Sequence, residues 1–304
     1  MSGGAGPPEL VEVADHVFAY IQPDGSWWIN NTGFVVGGKA VISIDACSTR
    51  ARTSAYLERI ATVSHAPITT LVNTHHHGDH TFGNYLFEAA TIVAHENCRA
   101  AVLQYGLPPP PGVWDPVDWG DIEIAPPTLT FTDRVTLWSD ADPIEVSYVG
   151  GPAHTDNDSL VWLPRQQVLF CGDLLFNGGT PFLLMGSVTG AIGVLTDVVA
   201  AYPAAVIVPG HGAPCTSSLI DTVVGYLRFV LDVAERAIAA GITPLDAARQ
   251  TDLGQYTDWL DAERIVGNLH RACADLDPAG HPVDIAAALT DMVAYNGGPL
   301  TCYA

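Results

Sequence analysis

Residues 75–80 read His-His-His-Gly-Asp-His, so four imidazoles and a carboxylate fall within one short stretch. Neutral imidazole nitrogen and carboxylate oxygen are the donors that zinc takes, and that iron or manganese take with less preference. On a loop, His75 and His77 can face one ion while Asp79 and His80 face a second beside it. On a straight strand the convergence fails, because successive side chains alternate faces. A solvated loop is the plain alternative in a chain that holds 11 histidines. The rest of the chain argues against it. His154 stands in GGPAHTDND after the strand IEVSYV, Asp173 in LFCGD after the strand QVLF, and His211 in VPGHG after the strand AAVIV. Each metal-binding type sits where an apolar run stops, whereas a core histidine sits inside one.

The elements that must position these residues are legible from periodicity. VEVADHVFAYI, GFVVGG and KAVISIDA read as three strands, the last two joined by a Gly-Gly turn. STRARTSAYLERIATV has the helical spacing of Ala55, Leu57, Ile60 and Val63. ITTLVNT is a strand running straight into the histidine cluster. ATIVAH is a further strand, ENCRAAVLQYG a short helix, and LPPPPGVWDPVDWG a loop, since its proline run fits no regular element. LTFTD, VTLW, IEVSYVG, SLVWLP, QVLFCGD and AAVIVPG follow as strands. Two groups of strands separated by helices predict a sheet-on-sheet core covered by helices. SSLIDTVVGYLRFVLDVAERAIAAG is one long helix stopped by Gly241. Thr243-Pro244-Leu245-Asp246 starts another with an N-cap Thr, and LDAERIVGNLHRACADL is a third. The expected organisation is a catalytic unit over residues 9–215 with a helical segment, 216–304, packed on it in the same domain.

Composition narrows the function. The chain carries 12 Lys and Arg against 33 Asp and Glu, a formal charge of −21. Such a surface repels phosphate backbones and anionic lipids, so neither a nucleic-acid nor a membrane partner is expected. The residues are 48% hydrophobic and 15% charged, enough for a large core. Cys47, Cys98, Cys171, Cys215, Cys273 and Cys302 form no CxxC pair and read as reduced thiols. MSGGAGPPEL reads as a loose tail without signal-peptide character, and no apolar run is long enough for a span. The expected location is cytoplasmic.

The metal-binding pattern resembles the metallo-β-lactamase superfamily. Its HxHxDH motif is met by His75, His77, Asp79 and His80. Its later histidine is met by His154, its bridging acid by Asp173 and its final histidine by His211, in the family's order. The resemblance runs from about Glu9 to Pro214. It implies an α/β fold, the four-layer αβ/βα sandwich, here with a C-terminal helical extension. It implies two Zn2+ ions per chain: the first on His75, His77 and His154, the second on Asp79, His80 and His211, with Asp173 between them. The departures are informative. His77 stands where the flavodiiron oxygen reductases have Glu, and no flavin domain follows, which argues against redox chemistry. Asp173 replaces the Cys of some β-lactamases, and Cys171, two residues earlier, reads as core. Asn157 stands where many relatives have Gly, which alters the turn after His154. Asp45 ends VISID where many relatives carry an acid near the metals. It either orients a ligand histidine or forms a cap or turn before the helix at Ser48.

Such a set hydrolyses esters, thioesters, lactones, lactams or some phosphodiesters, with Asp79 orienting the nucleophile, so the ligands alone choose no substrate. Trp27 and Trp28 lie in PDGSWWINN, where the family has a flap over the metals. On a strand, at least one of the two faces solvent. GGTPFLLMGSVTG is expected to bring Phe182, Leu183 and Met185 beside the pocket. Basic residues are sparse near these segments, which disfavours a phosphate clamp. VDWGDIEIAPP, TPFLLMGSVTG and DAERIVGNLHRA further resemble the metallo-β-lactamase-type cyclases and thioesterases of bacterial aromatic polyketide biosynthesis. That resemblance implies an acyl substrate tethered to an acyl carrier protein. The alternatives are a broad lactonase or β-lactamase-like hydrolase, and a non-catalytic metal-binding scaffold. Homo-oligomers are compatible with the sequence.

Overall fold

Alternation of apolar side chains on both faces of most strands forces each sheet to be covered twice. The computed structural model, which describes residues 6–106 and 111–304, shows how this is met. Parts of the expected tail (residues 1–5) and of the proline loop (107–110) lie outside the described residues. β1 (Glu9–Ala14), β2 (Val17–Ile21), β3 (Thr32–Val36) and β4 (Val41–Ile44) form an antiparallel meander. α1 (Arg50–Val63) crosses over to β5 (Ile68–Val72), and α2 (Gly78–Thr81) leads on to β6 (Thr91–His95). α3 (Glu96–Tyr105) leads to β7 (Leu129–Phe131). β4 to β7 are parallel and complete a seven-stranded sheet in sequential order.

The second sheet holds β8 (Arg134–Ser139), β9 (Asp142–Tyr148), β10 (Ser159–Leu163) and β11 (Val168–Phe170), antiparallel in turn. After α4 (Val188–Gly193), β12 (Val206–Val208) joins β11 in parallel. α5 (Ser218–Ala240), α6 (Pro244–Gln250), α7 (Arg264–Asp275) and α8 (Ile285–Asn296) close the chain.

The layers follow from the period of two. Ile42 and Ile44 of β4 meet Val161 and Leu163 of β10 between the sheets. Val41 of β4 and Phe34 of β3 face outward onto Tyr56 and Ile60 of α1. Leu160 and Trp162 of β10 face the other way, onto Val223, Leu227 and Val230 of α5 and Ile265 and Leu269 of α7. The expected helix–sheet–sheet–helix order is therefore observed, and the C-terminal helices share one core with the second sheet.

Two expectations fail. VEVADHVFAYI is two strands, because His16 adopts a left-handed φ of 59° and its N–H bonds Glu12, turning the chain back. α8 was not anticipated, although Asp284 caps Ala287 N–H and Gly297 ends the helix at φ 78°. The other helical starts hold: Thr49 caps α1, and Thr243 caps α6 with Pro244 in its first turn. Among the described residues no helix is long and apolar enough to cross a membrane.

Candidate metal centre

β9 and β11 are both antiparallel to β10, and β12 is parallel to β11, so β9, β11 and β12 point the same way. The loops after them, and the loop after β5, meet at one edge of the sandwich. Ser159 N–H donates to Thr74 O at 2.8 Å, joining the two sheets there. This convergence gathers His75, His77, His154 and Asp173 into one cluster and Asp79, His80, Asp173 and His211 into another. Within each cluster one potential ligand atom per residue lies within 4.8 Å of the others, and Asp173 belongs to both. His154 Nε2 is 3.4 Å and His211 Nε2 3.3 Å from Asp173 Oδ2. His80 Nε2 is 3.0 Å from Asp173 Oδ1, but too poorly aligned for either atom to count as hydrogen-bonded.

The outer nitrogens decide whether the clusters suit metal ions. Asp45, a carboxylate, only accepts, so His80 Nδ1–H donates to it at 2.8 Å and Nε2 keeps its lone pair. Main-chain carbonyls do the same elsewhere: His154 Nδ1–H donates to Phe182 O (2.6 Å) and His211 Nδ1–H to Gly25 O (3.0 Å). Thr74 spends its hydroxyl proton on Asp45 at 2.8 Å, so its oxygen accepts from His75 Nδ1–H at 3.1 Å. His77 Nε2 contacts Met185 Sδ at 3.4 Å, and its Nδ1 faces His154 Nε2 at 2.8 Å. All five rings thus aim a nitrogen into the clusters that share Asp173, and in four of them the outer hydrogen bond leaves that nitrogen as the one free to take a metal ion.

The electrostatics agree. Burial holds the imidazoles of His75 and His77 well below their usual range, and that of His154 at about 4. Burial also opposes protonation of His80 and His211. There the carboxylates outweigh it, Asp173 first, driving His80 well up and His211 to about 9. Burial opposes ionisation of Asp173, yet His211, His80 and His154 hold its carboxyl well below the usual range. A buried negative centre that draws protons onto two imidazoles equally draws cations.

Asp45 is neither a helix cap nor a plain turn residue. Besides His80 it accepts from Thr74 N–H at 2.7 Å, and Thr49 makes the cap. The turn after His154 is held by Asp158, which accepts from Thr155 N–H and Oγ1–H at 2.8 and 2.6 Å. Asn157 is fully buried there and donates to His76 Nδ1 at 3.0 Å. Cys171 is a core thiol.

A cavity of about 360 Å3 opens over both clusters. Trp27, Trp28, Phe182 and Met185 line it, as expected, whereas Leu183 turns into the core. The expectation that one tryptophan faces solvent is wrong. The pair lies in a turn, not a strand, and Trp28 takes φ 65°, which sends both rings inward. Trp27 packs on Phe182 (4.9 Å), and Trp28 packs on Trp114 (5.1 Å) and Trp119 (4.9 Å). The expected scarcity of cations also has an exception, because buried Arg264 lines the cavity. Its charge is engaged: Nη2 lies 2.8 Å from Asp261, and Nη1–H donates to Thr180 O at 2.9 Å. Its guanidinium lies 4.1 Å over Trp27 and 5.1 Å over Phe176, whose ring stacks on His211 at 4.8 Å. Phe176, Trp114, His76, and Ile285 and Leu289 of α8 were missed as cavity residues. The aromatic positions had no periodicity to expose them, but the cap and stop of α8 were readable.

The family model "Metallo-beta-lactamase superfamily" matches residues 25–211. The "Metallo-beta-lactamase type 2" of Bacteroides fragilis is 28% identical over 222 residues, 70% of this chain and 82% of its own. A "Hydroxyacylglutathione hydrolase" of Rhodospirillum rubrum is 32% identical over 120 residues, 40% of this chain and 39% of its own. Among solved structures, a metallo-beta-lactamase from Pontibacter korlensis superposes with a TM-score of 0.62 at 20% identity. That match covers 73% of this chain and 99% of the other, and supports the fold alone.

Proposed function

The chain belongs to the metallo-beta-lactamase superfamily, a superfamily of metal-dependent hydrolases, and from that membership we propose that it is a dinuclear zinc hydrolase of acyl thioesters. The acyl group we assign is apolar and of the aromatic polyketide kind, presented on an acyl carrier protein and released by hydrolysis, ring closure or both. The observation that carries the acyl reading is the cavity wall, built of tryptophan and phenylalanine over both metal-binding clusters. Among the described residues that line the wall, the arginine is paired with Asp261 and no lysine is present to clamp a phosphate. Two of the segments that resemble polyketide cyclases contribute Phe182, Leu184 and Met185, and Arg264, to this wall. The third contributes Glu123 and Ile124. A relative named for hydroxyacylglutathione hydrolysis supports acyl-group chemistry.

His75, His77, His154 and Asp173 would hold one zinc ion and Asp79, His80, His211 and Asp173 a second, which would supply Lewis acidity toward the carbonyl and lower the pKa of a water toward neutrality. The chain's own groups do the rest. Asp79 lines the cavity with Oδ2 3.3 Å from His211 Nε2, placed to orient the nucleophile and take its proton. The aromatic walls exclude water from the acyl chain. A thiolate leaves without strong acid assistance, which favours thioesters over unactivated amides.

The test is kinetic and compositional. Protein purified without chelator is expected to hold about two equivalents of zinc, one for each cluster. Turnover of an aryl or polyketide-like thioester is expected to exceed that of a β-lactam and of a phosphodiester by orders of magnitude, and Asp79→Asn to abolish most of it. Faster β-lactam turnover would favour the lactamase reading that the Bacteroides fragilis relative suggests. Turnover unaffected by metal removal overturns the mechanism.

A further inference from the structure

In the cluster of His75, His77, His154 and Asp173, one ring has a tautomer that the other ligands leave open. His154 Nδ1–H donates to Phe182 O at 2.6 Å, so His154 Nε2 carries a lone pair. His77 Nδ1 lies 2.8 Å from that nitrogen. A proton on His77 Nδ1 would bridge the two nitrogens and withhold both from a cation. A proton on His77 Nε2 leaves both lone pairs free. The four other rings of the centre have an oxygen for their outer proton: Thr74 Oγ1 for His75, Asp45 for His80, and main-chain carbonyls for His154 and His211. For His77 the acceptor on the outer side is the thioether of Met185, 3.4 Å from Nε2. The backbone beside that sulfur is fixed. Gly186 packs so closely on the loop of His154 that a Cβ there would lie 1.9 Å from Ala153 O. Ser187 N–H donates to Ala153 O at 2.9 Å, and Leu183 N–H to Asn268 Oδ1 at 2.8 Å. The segment that brings Phe182 O to His154 thus also brings Met185 Sδ to His77.

We propose that Met185 is a positioning residue of the metal centre: its sulfur accepts the Nε2 proton of His77 and so leaves Nδ1 of that ring free to ligate. A thioether is a weak acceptor, so His77 is the least firmly oriented of the five rings. The weak acceptor suits its place. Met185 and His77 both line the apolar cavity, and a thioether takes a hydrogen bond there without setting a charge or an amide against an apolar occupant. Leucine at the same position fills a similar volume but turns hydrocarbon toward Nε2–H, which disfavours the tautomer that binds metal. The inference rests on the dinuclear zinc reading and not on the identity of the acyl substrate.

The experiment uses the full-length protein and reads zinc affinity directly, by competition with a chromophoric chelator. Met185→Leu is expected to weaken one of the two sites about tenfold, the lower end of the range for removing the partner of a metal-binding histidine, and to leave the other unchanged. Met185→Gln, whose Oε1 accepts a hydrogen bond, is expected to restore most of that affinity. A residue that only fills the wall predicts the opposite order, because Leu matches Met in volume and apolar character and Gln does not. The zinc-loaded wild type gives a second reading that decides the matter if the variants do not fold. A proton–nitrogen correlation spectrum of its imidazoles is expected to place the His77 proton on Nε2. A proton on Nδ1, or a Met185→Leu protein that binds both ions as tightly as wild type, overturns the proposal. Wild type that binds fewer than two zinc ions overturns the dinuclear reading and this inference with it. Two tight sites that are indifferent to Met185 overturn this inference alone.

Discussion

Asp45 shows how much of the centre rests on one side chain outside it. It is 2% exposed and accepts from Thr74 N–H, Thr74 Oγ1–H and His80 Nδ1–H. Through Thr74 it also sets the proton of His75, so it fixes one ring in each cluster. It does so from a left-handed backbone at φ 59°, a region that Asp tolerates better than most residues. Asp45→Asn puts an NH2 where an acceptor is needed. The variant is expected to lose about 10- to 100-fold in zinc affinity, measured by competition with a chromophoric chelator. Unchanged affinity would show that the two rings hold their orientation without it. At this scale the sequence was most legible for the seven polar residues at the ends of apolar runs, because a buried charge there needs a partner. It was least legible for Trp27 and Trp28, whose direction depends on a turn conformation that no periodicity encodes.

At the scale of elements, the centre depends on how closely the loops after β11 and β12 approach. A Cβ on Gly210 would come within 1.9 Å of Asp173 Oδ1 and 2.7 Å of Gly172 C. Backbone and a ligand carboxylate cannot both yield, so Gly210→Ala is expected to displace Asp173 and lower metal content below one equivalent per chain by elemental analysis. Full occupancy in that variant would mean the loops have slack. The tryptophan turn gives a paired prediction. Trp27 belongs to the main core, with Nε1–H donating to Glu263 at 2.6 Å, whereas Trp28 is half-buried at the cavity. Trp27→Ala is therefore expected to destabilise the protein by about 3–5 kcal/mol in denaturant unfolding. Trp28→Ala is expected mainly to raise KM, since the wall holds ground and transition states alike. Strand and helix order was readable because periods of 2 and 3.6 run through the segments. The split of the first strand was not, because it turns on one residue, His16, rather than on a pattern.

Across the whole molecule, the centre is where both sheets and the C-terminal helices are tied. β5 supplies the first histidine loop and β9, β11 and β12 the rest, while α7 brings Arg264 over Trp27 and Phe176. Asp45, Asp79 and Asp173 are all nine-tenths buried in this knot. Their charge draws protons onto His80 and His211, although burial opposes it. Metal ions that bind the folded cluster in preference to the dispersed ligands of the unfolded chain would stabilise by RT ln(1 + [L]/Kd), about 4 kcal/mol at a thousandfold excess over Kd. Prolonged dialysis against chelator is thus expected to lower the Tm by several degrees at pH 7, and added zinc to restore it. Because the knot joins both sheets, the loss is expected in a single cooperative transition seen equally by far-ultraviolet circular dichroism and by tryptophan fluorescence. A Tm indifferent to chelator would mean that the fold holds these carboxylates at no cost. A separate early fluorescence transition would mean that the cavity wall, rather than the sandwich, is what the metals brace.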